Sequence, residues 1–132
     1  MQLTKKASYG LIAAVELAHD PGEHRSASTI AERYSLPAPF VEKILHELRQ
    51  AGLITSRQGR GGGYALARTP DAISIRQVLE ALGECLDLVG CLGSGAHCDL
   101  TVVCPTKGAW ARLDQRFKEM LASLSLADLV ET

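Results

Sequence analysis

The sequence predicts a mainly α-helical chain with one small β-hairpin, and three observations lead there. Apolar residues recur at helical spacing in the first half, most cleanly at Val41, Ile44, Leu45 and Leu48. A glycine-rich stretch, LITSRQGRGGGYALAR (53–68), joins two short runs of strand-forming residues. A second helical stripe near the C-terminus runs Trp110, Leu113, Phe117, Met120, Leu121 and Leu124. With 132 residues, 46% of them apolar, the chain suits one cored domain with an extension.

Each element can be justified in turn. Residues 4–19 read as a helix with Leu11, Ile12, Ala14, Val15 and Ala18 on one face. Pro21 and Gly22 end it. Ser26 or Ser28 can cap a short helix through Tyr34, and Thr29 with Glu32 has capping-box spacing. Pro39 lies in the first turn of the next helix, about 39–51, where its missing N–H is no loss. Gly52 offers a left-handed stop. The outer face of that helix presents Glu42, Lys43, His46, Arg49 and Gln50. Around the glycine loop, Ile54 and Thr55 on one side and Tyr64 and Leu66 on the other form a hairpin. A short helix over 74–83 carries Ile75, Val78, Leu79 and Leu82 on one face. A long helix spans 105–124, and SLADLV (125–130) forms a last helical turn. No run of eighteen apolar residues exists, so no membrane span is expected. The first ten residues lack the apolar block and cleavage site of a secretory signal, and cytoplasm is the expected compartment.

Helix, helix, turn, helix and hairpin is the order of a winged helix-turn-helix, in which the second helix of the turn enters the DNA major groove. The charges agree with that order. Residues 1–70 hold nine Lys/Arg against six Asp/Glu, a balance of +3, whereas residues 71–132 hold five against nine, a balance of −4. Arg57 and Arg60 flank a loop of four glycines, including Gly61 and Gly62, where bare backbone can approach phosphates closely. Lys5, Lys6, Lys43 and Arg49 supply further candidate phosphate contacts. The loop joins strand to strand and lacks the pattern of a nucleotide phosphate loop. No nucleophile–base–orienter set appears among the scattered His19, His24, His46 and His97, so an enzyme is not expected.

CLGSGAHCDLTVVC (91–104) concentrates three of the four cysteines. In a reducing compartment, such clusters are more often metal or redox centres than disulfides. Three thiolates on a glycine-bearing loop can hold an iron–sulfur cluster. Zinc normally shows paired close knuckles, yet His97 with the three cysteines remains a possible tetrahedral set. Redox-active or idle thiols are the other readings.

Several segments together resemble the IscR/NsrR family of bacterial transcription regulators, the Rrf-two group. They are LTKKASYGLIAAVELA, IAERYSLPAPFVEKILHELRQAGLI, SRQGRGGGYALAR, ISIRQVLEAL and the three-cysteine loop followed by PTKGAW. The resemblance covers nearly the whole chain. It implies a homodimeric winged-helix protein on a palindromic operator, with many members carrying an iron–sulfur cluster on this loop and others sensing cysteine metabolism with a protein partner. It places Phe40, Glu42 and Lys43 at base-reading positions, Arg57, Arg60 and the glycines on the wing, and Cys91, Cys98 and Cys104 as cluster ligands. Cys85 matches none. The chain departs from the pattern where Lys107 stands in place of one branch's histidine and Ser8 in place of another's acidic residue. The remaining fourth-ligand candidates are His97, Asp99, Cys85, Asp87, a partner-subunit side chain or a small molecule, and 2Fe–2S and 4Fe–4S both stay open.

The expectation is a DNA-binding repressor that senses cluster, redox or nitric oxide status. Residues 1–83 would form the DNA-binding domain, 84–104 the cluster loop, and 105–132 the dimerisation helix and C-terminal turn. The alternatives are a cluster-free regulator responding by thiol oxidation or a protein partner, and a metal-binding adaptor without a DNA role.

Overall fold

The structure is a computed structural model that describes residues 4–87 and 105–131. Cys91, His97, Cys98, Asp99 and Cys104 lie outside the described residues. The elements run α1 (Lys5–His19), α2 (Ala27–Tyr34), α3 (Ala38–Gln50), β1 (Ile54–Arg57), β2 (Gly63–Leu66), a 3₁₀ turn (Pro70–Ala72), α4 (Ile75–Ala81), α5 (Lys107–Ser123) and α6 (Leu126–Val130). This is a helical body with one antiparallel hairpin, in register Ile54↔Leu66 to Arg57↔Gly63. No helix among the described residues is long and apolar enough to cross a membrane.

Local chemistry explains the boundaries. Thr4 and Ser26 cap α1 and α2 by accepting from Ala7 N–H and Thr29 N–H, so Ser26 fills the capping position rather than Ser28. Helix α3 stops as expected at Gly52, whose φ of 80° is left-handed. Gly52 N–H donates to Arg49 C=O and Leu53 N–H to Leu48 C=O, which satisfies the last carbonyls. Ser74 and Ser125 form capping boxes with Gln77 and Asp128 at α4 and α6.

Val41, Ile44, Leu45 and Leu48 of α3 are all buried at the centre, against α1, α2 and the first wing strand. Helix α1 turns a different face inward from the one its bulky residues suggest. Ala7, Gly10, Ala13, Ala14, Glu16, Leu17 and Ala18 are buried, while Leu11, Ile12 and Val15 are only half-buried. Small side chains let neighbouring helices close in: a Cβ on Gly10 would sit 2.2 Å from Leu82 Cδ1 of the segment ending α4. Helix α6 is more than a terminal turn. Leu126 is fully buried in the common core, and Ile75 N–H to Leu124 C=O (2.8 Å) with Leu126 N–H to Ile73 C=O (3.0 Å) pins it beside the start of α4.

Candidate nucleic-acid interface

The sequence sets α3 and the hairpin side by side along one exposed surface. Burial of the α3 stripe forces Glu42, Lys43, His46, Arg49 and Gln50 to the outside, and all five are exposed. An open groove between α3 and β2 is lined by Ala38, Pro39, Glu42, Lys43, His46 and Tyr64. It continues to Arg57, Gly59, Gly62 and Gly63 at the base of the hairpin. The structure therefore brings Glu42 and Lys43 together with the hairpin arginine Arg57 along one continuous surface. His46 and Tyr64 join that surface without having been singled out as site residues; outward helical spacing from Pro39 and Lys43 points to His46, whereas Tyr64 depends on hairpin register.

The hairpin turn is shaped by glycine. Gly59 and Gly61 have φ of 93° and 74°, and a Cβ on Gly62 would meet the Arg57 carbonyl oxygen at 2.2 Å. The Arg57 guanidinium donates to Gly61 C=O at 3.0 Å, which braces the turn from inside. Arg60 stands exposed at the tip.

Three other candidates have defined places. Phe40 is half-buried, its ring edge-on to Tyr9 of α1 with centroids 5.6 Å apart. Lys5 is exposed at the start of α1. Lys6 instead pairs with Glu47 of α3 at 2.6 Å, so it clamps two helices and is not a free cation for phosphate.

The segment leading into the cysteine stretch is firmly held at its described end. Leu86 is buried in the core, Glu84 accepts from the Thr4 hydroxyl that also caps α1, and Asp87 pairs with Lys118 of α5 at 2.6 Å. Lys118 also pairs with Asp114 at 2.9 Å. Its hydrogen bonds to Asp87 first, then to Asp114, push the ammonium pKa above the ordinary lysine value. Cys85 is exposed, its thiol 3.6 Å from the Asp87 carboxylate. Among the described residues no three His, Cys, Asp or Glu side chains converge as a metal site.

Residues 3–132 match the Rrf2 family, described as an iron-dependent transcriptional regulator. The Synechocystis sp. protein slr0846, named for an HTH-type transcriptional regulator, is 40% identical over 130 residues, covering 98% of this chain and 87% of that one. Among solved structures, CymR, the global cysteine regulator of B. subtilis, superposes with a TM-score of 0.83 at 32% identity, covering 99% of this chain and 97% of that one. T. potens IscR superposes at 0.75, also at 32% identity, covering 99% and 87%. The helical fold with its antiparallel hairpin thus agrees with these relatives over almost the full length: this chain belongs to the Rrf2 family of transcriptional regulators, whose role is DNA binding and not enzymatic.

Proposed function

We propose that the chain works as a homodimeric, cytoplasmic repressor whose affinity for a palindromic operator is set by an iron–sulfur cluster on Cys91, Cys98 and Cys104. The observation that carries this reading is a three-thiol donor set whose leading segment is anchored to both α1 and α5 through Glu84, Leu86 and Asp87. Soft thiolates in that number suit iron–sulfur ligation better than they suit a hard cation. When bound, such a group supplies a centre whose charge and integrity respond to oxidants, nitric oxide and iron supply. The family description as iron-dependent supports the same choice.

On the DNA side, Phe40, Glu42 and Lys43 meet base edges from α3, the half-buried Phe40 also packing edge-on against Tyr9 of α1. Arg57, Arg60, Gly61 and Gly62 run along the backbone from the wing, and Lys5 and Arg49 add phosphate contacts. Trp110, Leu113 and Met120 of α5, and Leu124 just after its end, are 40–51% exposed. Because these side chains are already about half-buried, covering the rest with a second copy is favourable by about 1 kcal/mol each, and a two-fold dimer matches a two-fold operator.

Likeness to CymR, a cysteine regulator whose Staphylococcus aureus form has also been solved oxidized, favours one alternative, a cluster-free regulator responding by direct thiol oxidation or a protein partner. One experiment separates the two. Protein purified without oxygen and reconstituted with iron and sulfide is expected to be brown and to absorb in the visible, and Cys98→Ala to lose that absorbance. A colourless wild type whose DNA affinity still changes with peroxide would establish the thiol mechanism instead.

A further inference from the structure

Glu16 sits in the middle of α1 with 1% of its surface exposed, away from the groove. A carboxylate so placed is costly to bury unless its oxygens are satisfied. Three donors converge on it: Arg25 Nη1 and Arg33 Nη1, each at 2.9 Å, and the Tyr34 hydroxyl at 2.5 Å. Arg33 and Tyr34 end α2, immediately before the turn into α3. Arg25 reaches further. Its N–H donates to Tyr64 C=O at 2.9 Å and its C=O accepts from Tyr64 N–H at 2.7 Å, which adds a one-residue third strand to the wing. The fit there is tight: Gly63 has φ of 141°, and a Cβ on it would lie 2.5 Å from the Arg25 carbonyl.

We propose that Glu16 is a positioning residue for DNA recognition, acting through Arg25 to hold the wing at a fixed angle to α3. The buried carboxylate then sets the relation between the two surfaces proposed to grip the duplex: through Arg33 and Tyr34 it fixes the approach to α3, and through Arg25, whose other terminal nitrogen bonds the exposed Asp20, it helps to fix strand β2. This rests on the reading that the wing contacts DNA, and the test keeps the two claims apart.

The full-length chain is bound to a duplex selected by the wild type from a random-sequence pool. Hydroxyl-radical footprints and affinity against salt are measured for Glu16→Leu, Glu16→Gln, Gly63→Ala and Arg60→Ala. Glu16→Leu and Gly63→Ala are expected to keep protection at the half-site centres, lose it at the wing-side flanks, and bind about tenfold more weakly. Their salt slope should flatten by about one to two phosphate contacts. Glu16→Gln, which keeps an acceptor for both arginines, should recover most of the flanking protection. A folded Glu16→Leu with wild-type flanks and salt slope overturns the proposal; should that variant not fold, wild-type flanks in Gly63→Ala overturn it. Loss of flank protection in Arg60→Ala alone also sinks the positioning role, whereas unchanged flanks in Arg60→Ala would sink the wing reading itself.

Discussion

At the hairpin tip, Arg57 donates one guanidinium N–H to the Gly61 carbonyl while Arg60 is exposed, so the two wing arginines have different surroundings although they look alike in sequence. The glycines around them were legible beforehand, because a turn with four of them has few other uses. Glu16 was not: a lone acidic residue within an apolar helix reads as an interruption until Arg25, Arg33 and Tyr34 are brought to it from 9, 17 and 18 positions away. That cluster has a measurable signature. The hydrogen bond to Glu16, then burial and the Glu16 charge, raise the Tyr34 phenol above its ordinary 10.0. The folded state therefore holds this proton more tightly than the unfolded chain. The stabilisation is complete below about pH 10 and is lost as pH rises through the higher folded value. Lys118, raised by Asp87 and Asp114, acts in the same direction. Thermal melts should show stability falling above about pH 10. Tyr34→Phe is expected to be less stable by about 1 kcal/mol at neutral pH and to decline less steeply with alkali. A decline parallel to wild type would contradict this assignment.

Among the elements, α3 was the easiest to read and α1 the hardest. Every residue of the α3 stripe is buried because large aliphatic side chains at i, i+3, i+4 and i+7 have one way to leave water. Apart from Leu17 and Glu16, helix α1 buries alanine and glycine instead, since a close approach such as Leu82 on Gly10 demands small residues that carry little hydrophobic signal. Helix α5 differs from both. Its stripe was plain in the sequence, yet Leu113 and Met120 remain 51% and 50% exposed within the single chain. A second copy is the proposed cover. Leu113→Glu with Met120→Glu is expected to convert a dimer to a monomer by sedimentation while helix content is kept. The doubly substituted chain should also lose most operator affinity, because the proposed palindromic operator has two half-sites to be gripped together. An unchanged sedimentation coefficient would rule α5 out as the dimer contact.

At the scale of the molecule, the chain closes on itself in a way no local pattern reveals. Leu126 enters the core built by α1 to α4, and the Ser74–Ser125 bridge fastens the end of α5 to the start of α4. The leading end of the cysteine segment is tied to the same frame twice, to the α1 cap through Glu84 and to α5 through Asp87. From α1 the contacts run on to α3 through Lys6–Glu47 and Tyr9–Phe40. The described contacts from residues 84–87 thus reach α3 through α1, and the coupling proposed between the cysteines and α3 is of the usual order, about 1–3 kcal/mol. The most direct measurement is operator affinity of the same anaerobic preparation with the cluster reconstituted and after its iron is chelated. The account predicts a difference of about 5- to 150-fold between the two states, lost in Cys98→Ala. Equal affinity with and without iron would contradict it.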